Sequence, residues 1–592
     1  NKNTAASSGV VYMEGSSDTL ITNSIIASSA DGYGVYTVGG ARLLISYSDV
    51  FGNFDGEYGG TLADQTNDKG NQKVDPKFTA YSRDGNLAND TFTYQTASTM
   101  VDRGLNSFPD ADGSISNLGV GGGDDEKRHP GDFNLYVSPL FESTHRTVTS
   151  AVAAATTGQV IGVYPGLYYG DVDFNGKNIS IKGAYGQLGS VIVGSSKALA
   201  VDQGEGTSTS PLLVYGLSIH NGGTYGVYVL NSHLKLEQCA LRYGSSSYAG
   251  YADNGTLNLT RTTSELNNTT YGLYYKSAAK GTITGSTFQN NTTSSFGGAV
   301  HLTTSVTLKI VGSRFAYNKA NASLGGAIYV SSSSLEVYSS TFQSNTAATG
   351  GALYQISGSS FISGSSFTSN SGTSQGGAFY GTTGLATFKN NLFQLNSSTA
   401  GGAVFVNASE NDTFINNNFI ENKATAASSG AVFHVSNGGK LVPINNIVAH
   451  SPDGIALYLA TGSTYATLSY NDFYNNTEGN VAGIISSLPI SNRTDNPTFV
   501  AYTQDGNSLN DDQHLGASSP LIDAGDPAIL DAEDGTTSDI GAYGGSEGAE
   551  MDLDGDGFPD WFWPGTIDQA PDGFDPADFD CDDLDPAVHG EG

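Results

Sequence analysis

The chain has 592 residues, too many for one ordinary domain, which predicts two or three. Its 77 glycines and its charged share of only 14% suit short strands between tight turns, and the aromatic share of 10% argues against disorder. The net charge of −33 excludes binding of nucleic acid or an anionic membrane through the bulk surface, and it predicts attraction for cations. No apolar run approaches the roughly 20 residues that a membrane span needs.

The first part of the chain recurs near its end. Residues 23–36 match residues 445–458, and residues 101–104 match residues 522–525, at offsets of 422 and 421. The nearly constant offset predicts a tandem duplication, in which residues 1–123 are the C-terminal part of a first repeat domain with its closing cap. The chain opens inside a repeat, so we expect the native N-terminus and any targeting signal to lie outside it.

A linker at residues 124–133 is expected to lead into a complete second copy at residues 134–546. Near its start, residues 147–158 predict a short amphipathic cap helix that a glycine can end. Coils of strands are then expected over about residues 160–480, followed by a closing segment at residues 481–546. The helix and the strand-like residues after it resemble the capped start of bacterial parallel β-helix proteins.

Between residues 226 and 454 a glycine before a short apolar run recurs about every 25 residues, as in Gly325-Gly326-Ala327-Ile328. A second motif, Phe-x-x-Asn, keeps the same interval. One such unit holds two or three short strands and cannot bury its apolar face alone, so successive units stack and share a core. The pattern predicts an all-β fold, a right-handed parallel β-helix with inward columns of Ala, Val, Ile and Phe. The second motif occurs at Phe288 and Asn291, Phe315 and Asn318, Phe342 and Asn345, Phe367 and Asn370, Phe393 and Asn396, Phe419 and Asn422, and Phe473 and Asn476.

The asparagines of the second motif are predicted to form a ladder at a turn, in the left-handed conformation that asparagine tolerates. A polar binding stripe of asparagines is the functional alternative. The Gly-Gly pairs are predicted to permit a turn and the close approach of neighbouring backbones.

The two motifs together, over about residues 285–425, resemble the repeats of the chlamydial polymorphic membrane proteins and related bacterial β-helix adhesins. This resemblance implies a passenger-like β-helix on a cell surface. Residues 519–543 resemble the closing motif of bacterial surface β-helix proteins. Asp523 and Asp539 in this motif are expected to hydrogen-bond turns and not to carry chemistry.

After residue 546 the composition becomes acidic. Asp552, Asp554 and Asp556 alternate before a glycine, an arrangement that suits Ca²⁺ coordination by oxygen ligands. An EF-hand would need glutamate at the end of the loop, where this chain has Trp563. The cluster at residues 578–589 resembles the acidic metal-binding motif of bacterial surface proteins related to thrombospondin type-3 repeats. By that resemblance the Ca²⁺ ligands are Asp552, Asp554, Asp556, Asp560, Asp580, Asp582, Asp583 and Asp585.

For the whole acidic segment, residues 547–592, the alternative is a solvated linker without bound metal. Trp561 and Trp563 are expected to pack the calcium-ordered turn against the end of the β-helix, and a sugar-stacking platform is the alternative. Cys239 and Cys581 lie in segments of different character, so a disulfide framework is not expected.

Parallel β-helices host pectate lyases, polygalacturonases and epimerases, and these activities need clustered carboxylates on adjacent coils. Glu237, Arg242 and Glu265 are scattered over neighbouring early coils and are the best candidates for such a site. His301 and His434 lie on different coils and are interpreted as structural or exposed. The pattern therefore favours a protein without a catalytic site.

Four further charged residues, Glu410, Asp412, Glu421 and Lys423, are close in sequence and are interpreted as solvated turn charges. The sequence thus predicts an extracellular structural or adhesive surface protein, a rigid stalk or fibre subunit with calcium-stabilised linkers. Its expected partners are further copies of itself or cell-surface glycans and proteins, with no nucleic acid and no membrane span. A carbohydrate-binding or polysaccharide-cleaving β-helix is the alternative.

Overall fold

The computed structural model describes most of the chain between residues 10 and 545. The exceptions in that range are residues 16–17, 30, 81–90, 96–97, 102, 104–117, 119–132, 139–144, 185, 188, 222, 246, 322, 427–428, 466 and 532–533. The chain divides into two compact units, the first made by residues 1–194, 213–220 and 238–240, and the second by residues 195–212, 221–237 and 241–592.

The first unit opens with strands that pair in parallel across coils. Three short sheets are formed by Val11–Met13, Tyr33–Thr37 and Gly56–Gly60, by Asp18–Thr22 and Arg42–Ser46, and by Ile25–Ala27 and Asp49–Phe51. An antiparallel hairpin follows, made by Phe78–Ala80 and Thr91–Tyr94. Met13, Ile26, Val35, Leu43, Ile45 and Val50 form the buried core of these coils.

A short helix begins the second stretch of strands in this unit. It spans Val148–Ala154, with Thr147 as N-cap accepting the amide hydrogen of Ser150, and it buries Val148, Ala151 and Val152. The helix ends before the predicted glycine because Ala155 is already extended. The strands of this stretch are Leu135–Val137, Val160–Val163, Gly166–Tyr169, Val172–Asp173, Ser180–Gly183, Ser190–Gly194, Leu212–Tyr215 and Ser218–Asn221.

The second unit is a stack of coils whose strands form three parallel faces, here called A, B and C. Face A contains Lys197–Val201, Tyr225–Leu230, Tyr248–Asp253, Tyr271–Lys276, Val300–Thr303, Ile328–Tyr338, Leu353–Ser363, Phe379–Thr382, Val404–Asn407, Gly430–Ser436, Ile455–Leu459 and Val481–Gly483. Face B contains His233–Glu237, Thr256–Thr260, Lys280–Thr284, Thr307–Val311, the second halves of Ile328–Tyr338 and Leu353–Ser363, then Leu385–Lys389, Asp412–Ile415, Lys440–Ile444 and Thr464–Tyr465.

Face C completes each coil. Its strands are Ala240–Arg242, Thr263–Glu265, Thr287–Gln289, Arg314–Ala316, Thr341–Gln343, Ser366–Thr368, Leu392–Gln394, Asn418–Ile420, Ile447–Ala449 and Asp472–Tyr474. A short fourth strand follows face C in seven coils, at Asn268–Thr269, Thr292–Thr293, Lys319–Ala320, Thr346–Thr349, Ser371–Gln375, Ser397–Ala400 and Lys423–Ala424. An antiparallel hairpin of Phe499–Ala501 and Asp512–Leu515, with a 3₁₀ turn at Ser508–Asn510 between its strands, follows the last coil.

The interior of the second unit is built from equivalent side chains stacked on one another. The phenylalanines of the Phe-x-x-Asn motif are fully buried and stack in parallel from Phe288 to Phe419, with ring centroids 4.6–4.9 Å apart. Because each coil offers one phenylalanine at the same register, the stacking that the repeat predicts is confirmed.

The Gly-Gly pairs have the two roles that the sequence predicts. Gly325 has a φ of +68°, in the left-handed region that favours glycine. A Cβ on Gly326 would lie 1.9 Å from the carbonyl oxygen of Gly351 on the next coil, so no larger residue fits.

A buried ladder of asparagines joins the coils. The Nδ2 of Asn318 donates to Oδ1 of Asn345 and to the carbonyl oxygen of Phe288, while Oδ1 of Asn345 also accepts the amide hydrogen of Asn318. The prediction of a ladder is confirmed, but the predicted left-handed asparagine is wrong: the residue before it, such as Tyr317 with a φ of +56°, makes the bend. The ladder contains Asn267, Asn291, Asn318, Asn345, Asn370, Asn396 and Asn422.

A second polar ladder lies at the turn between faces B and C. Here the side-chain oxygen of each residue accepts the amide hydrogen of its equivalent on the preceding coil, at 2.9–3.1 Å. Its members are Thr262, Ser286, Ser313, Ser340, Ser365, Asn391, Asn417, Asn446, Asn471 and Asn492.

Candidate binding face

The outward side of face A carries one aromatic ring per coil. In strand Ile328–Tyr338 the first and third residues are buried in the core, and Tyr329 between them lies on the outer side. The ring centroids of register neighbours lie 4.6–5.8 Å apart along the column, and the rings stack except at His301, which is tilted against both of its neighbours. This aromatic column consists of Tyr228, Tyr251, Tyr274, His301, Tyr329, Tyr354, Tyr380, Phe405, His434 and Tyr458.

A second row of rings widens the column at its N-terminal end. Tyr225, Tyr248 and Tyr271 stack with centroid distances of 5.0 and 5.3 Å, and each is half-buried. The Lys197 ammonium lies 4.0 Å from the centroid of the Tyr228 ring, a favourable cation–π distance. The Lys276 ammonium is 3.3 Å from a carboxylate oxygen of Asp253 on the preceding coil.

The ionisable groups of the column are held neutral. Burial raises the pKa of Tyr251 to about 12, and burial lowers the pKa of both His301 and His434 to about 4. A general acid or base works best with a pKa near the operating pH, so these groups do not suit acid–base chemistry near neutrality. Five of its ten rings are buried, with 3–9% of each residue exposed, so much of the column packs against its neighbours and does not face solvent; these are Tyr251, His301, Tyr354, Tyr380 and Phe405.

The aromatic column was not among the features predicted from the sequence, although the repeat contains a signal for it. The residue after the glycine-led apolar motif is His301, Tyr329, Tyr354, Tyr380 or Phe405 in successive coils. Because residues alternate sides along a strand, the residue next to an inward one must lie outside. One aromatic residue per coil on the outer side of face A was therefore predictable.

The best candidates for an enzyme are used in structural contacts. Arg242 and Glu265 form an ion pair, with 2.6 Å between Nε and Oε1 and side chains only 4% and 5% exposed. Gln289 donates to the other oxygen of Glu265 at 2.8 Å. Glu237 pairs with Lys235 at the surface. The structure thus brings Arg242 and Glu265 together, and their separation of 23 residues, one coil length, could have indicated it.

The interpretation of Glu410, Asp412, Glu421 and Lys423 as solvated turn charges is wrong for two of them. Asp412 is fully buried, and its Oδ1 accepts hydrogen bonds from the Ala386 amide and the Ser409 hydroxyl. Glu421 is 8% exposed because the C-terminal segment covers it, and it accepts a hydrogen bond from the Tyr502 hydroxyl. Glu410 and Lys423 are exposed.

The two predicted turn aspartates lie close together after the last coil. Oδ1 of Asp539 accepts the amide hydrogen of Asp523 at 2.7 Å, as expected for a turn-stabilising residue. Asp523 itself has a φ of +54°. Burial raises the pKa of Asp539 to about 6, although the amide hydrogen bond opposes this rise.

All eight predicted Ca²⁺ ligands, in the segment from Asp552 to Asp585, lie outside the described residues. Within the part of the chain that the structure does describe, no group of three or more His, Cys, Asp or Glu side chains is placed to hold a metal ion. In that same part, no helix is both long and apolar enough to cross a membrane.

A family model described as "Right handed beta helix region" matches residues 201–393. The stacked parallel coils of the described residues have the right-handed β-helix fold that this family model describes. No curated protein matches its sequence.

Solved structures show only distant likeness to this β-helix protein. The pectate lyase Pel9A shares 15% identity with a TM-score of 0.31, and the match covers 69% of this chain and 95% of the lyase. A pectin methylesterase from carrot shares 11% identity with a TM-score of 0.22, covering 62% of this chain and 90% of the esterase.

Proposed function

We propose that this β-helix protein is an extracellular structural or adhesive surface protein, whose coils form a rigid stalk. The unbroken columns of equivalent side chains carry the proposal. Every coil from Phe288 to Phe419 is joined to the next by a stacked phenylalanine and by a buried asparagine. Such columns pair the buried polar groups of the asparagines. The stacked rings and hydrogen bonds between neighbouring coils resist bending of the stack and separation of its coils.

The charged residues fit this function better than catalysis. Arg242 and Glu265 neutralise each other in a buried pair, and the histidines of the aromatic column are neutral near pH 7. Polysaccharide cleavage needs carboxylates or basic groups that can reach a substrate in a suitable protonation state. Only Glu237 among the three candidates remains partly exposed.

Matching contacts support two tandem β-helix copies. Oδ1 of Asp49 accepts the amide hydrogen of Val74, and Oδ1 of Asp472 accepts that of Asp495. Each copy also continues into an antiparallel hairpin that starts at a matching phenylalanine, at Phe78–Ala80 and at Phe499–Ala501. The hydrogen bonds therefore repeat at the offset at which the sequence repeats.

The acidic segment defined above, here called the acidic tail, would act as a calcium-stabilised joint between β-helix copies. Residues 547–592 carry fifteen Asp and Glu and no Lys or Arg. Without a cation this charge repels itself, and bound Ca²⁺ would order it through the eight predicted aspartates. The resemblances to surface adhesins and to thrombospondin type-3 motifs favour an extracellular place, where calcium is plentiful. Partners would then be further copies or cell-surface glycans and proteins.

A carbohydrate-binding β-helix is the second candidate, and the double row of tyrosines favours it. Tyr225, Tyr248 and Tyr271 are half-buried beside the aromatic column, with Lys197 and Lys276 at its side. Tyrosine combines an apolar ring with a hydroxyl that can hydrogen-bond, which suits sugar contacts. Glycan binding is also compatible with an adhesive stalk.

The test is to incubate the full chain with neutral and acidic polysaccharides and to screen it on a glycan array. A structural protein releases no oligosaccharide. Cleavage that disappears in the Glu237→Gln variant would contradict the structural function. Glycan binding that is lost in Tyr248→Ala but kept in Glu237→Gln would assign adhesion to the tyrosine rows.

A further inference from the structure

Three coils of the second unit contain polar or small residues where their neighbours have apolar ones. On face A, register partners along the stack are Val330, Gln355, Gly381 and Val406. Val330 and Val406 are fully buried core residues, and Gln355 between them is 1% exposed. An amide and a glycine thus replace two branched apolar side chains in the interior.

The same coils are altered on face B. Leu335 and Ser360 are register partners, Ser360 pairs with Ala386, and Asp412 pairs with Leu441 on the following coil. Asp412 lies one coil beyond Ala386, whose amide hydrogen its Oδ1 accepts at 2.9 Å. A serine, an alanine and an aspartate therefore lie between two buried leucines.

Three oxygen atoms in these coils are buried without a hydrogen-bond partner among the described residues: Oε1 of Gln355, Oγ of Ser360 and Oδ2 of Asp412. The amide nitrogen of Gln355 is satisfied by the carbonyl oxygens of Gly358 and Leu385. A buried polar atom left unpaired costs roughly 1–3 kcal/mol. Three such atoms in one part of a core require a partner that protein atoms do not supply.

The small residues of the middle coil, Gly381 and Ala386, lie at register positions between these three side chains. A Cβ on Gly381 would lie 2.8 Å from Oδ2 of Asp412, so the free carboxylate oxygen lies directly over this glycine. Gln355 is the register partner of Gly381 on the preceding coil, whereas Asp412 lies on the following coil. Ser360 is likewise the register partner of Ala386.

We propose that Gln355, Ser360 and Asp412 form an internal hydration site, in which ordered water bridges their three unpaired oxygen atoms. The hydrogen-bond donors and acceptors of these three side chains match those of a water molecule. Oε1 of Gln355 accepts only, Oδ2 of Asp412 accepts when ionised, and the Ser360 hydroxyl both donates and accepts. A water molecule that donates two hydrogens and accepts one satisfies all three, and buried waters typically make about three hydrogen bonds.

A metal ion fits this site less well. Ca²⁺ takes about 6–8 oxygen ligands, and three side-chain oxygens fall short of that number. Water also tolerates either charge state of the aspartate. Burial raises the pKa of Asp412 to about 7, while the hydrogen bonds from Ala386 and Ser409 oppose the rise. A bridging water can donate to the carboxylate or accept from the protonated acid.

A crystal structure of the full chain, at a resolution that shows ordered solvent, tests the proposal. We expect a water peak at about 2.6–3.2 Å from Oδ2 of Asp412, with further contacts to Gln355 or Ser360. A dry space, side chains rotated onto protein partners, or an ion with a full oxygen shell would each overturn it.

Relaxation dispersion of water oxygen nuclei gives a second readout, because it counts long-lived internal waters. Gln355→Val introduces the residue that Val330 and Val406 supply at this register, and Ser360→Ala removes a second partner with little change in volume. We expect fewer long-lived waters in each variant than in the wild type. An unchanged count in both folded variants would overturn the proposal.

Discussion

The guanidinium of Arg242 and the carboxylate of Glu265 form a buried ion pair across adjacent coils, 2.6 Å apart at Nε and Oε1. Removing one partner leaves the other charge buried without its counter-ion. We expect Arg242→Met to lower the free energy of unfolding by about 3–5 kcal/mol. The double variant Arg242→Met with Glu265→Leu should recover most of this loss, because two apolar residues need no counter-ion. Denaturant unfolding measures the free energy of unfolding of the single and the double variant.

The pair of Lys235 and Glu237 is the matched control, because its two side chains are 35% and 25% exposed. Lys235→Met should change the free energy of unfolding by no more than about 1 kcal/mol. A loss as large as that of Arg242→Met would mean that burial does not distinguish the two pairs.

The asparagine ladder should be among the most sensitive parts of the core. Asn345 accepts the amide hydrogen of Asn318 and donates to the carbonyl oxygen of Phe315. Asn345→Ala leaves these groups buried and unpaired, at a cost of roughly 1–3 kcal/mol for each. Asn268→Ala, at an exposed position of a short strand, is the control and should change little. If Asn345→Ala and Asn268→Ala lower the melting temperature equally, the hydrogen bonds of the ladder do not contribute the expected stability.

The aromatic interior of the fold was predictable because residue type and spacing coincide, as at Phe288 and Phe315. The second polar ladder was not predictable, because its residue type changes along the stack, for example from Ser286 to Asn391. Its members share only a side-chain oxygen that can accept a hydrogen bond. Asp412 was misassigned because its polar sequence neighbours suggest a turn. Only the register of the coils shows that this residue lies inside.

The buried Asp472 predicts a pH dependence of stability. Burial raises its pKa to about 7, and the nearby Asp495 charge adds to the rise, while the Asp495 amide and Arg493 oppose it. In the unfolded chain the pKa is about 4. The folded chain therefore keeps a proton that the unfolded chain has lost, and the free energy of unfolding falls as the pH rises from about 4 to about 7.

The variant Asp472→Asn should lose part of this dependence, because the amide stays neutral and keeps an oxygen for the Asp495 amide hydrogen. Unfolding midpoints are compared across this pH range. We expect the variant to exceed the wild type most above about pH 7. Asp55→Asn, at an exposed aspartate, is the control. A constant difference between Asp472→Asn and wild type at every pH would contradict the assignment.

Calcium should bind the acidic tail and not the coils. Calorimetric titration of the full chain is expected to show saturable Ca²⁺ binding, which replacement of Asp580, Asp582 and Asp583 by asparagine weakens. The same number of substitutions at exposed coil carboxylates, such as Glu410, Asp453 and Glu478, should leave the titration unchanged. Binding that survives the tail substitutions would place the calcium elsewhere.

Electron microscopy of the purified full chain, with calcium and after chelation, tests the central claim most directly. A calcium-stabilised structural protein should appear as elongated particles joined end to end, and chelation should separate them without unfolding the coils. Single particles that are indifferent to calcium would contradict the proposed joint and would shift the function toward ligand binding by individual molecules.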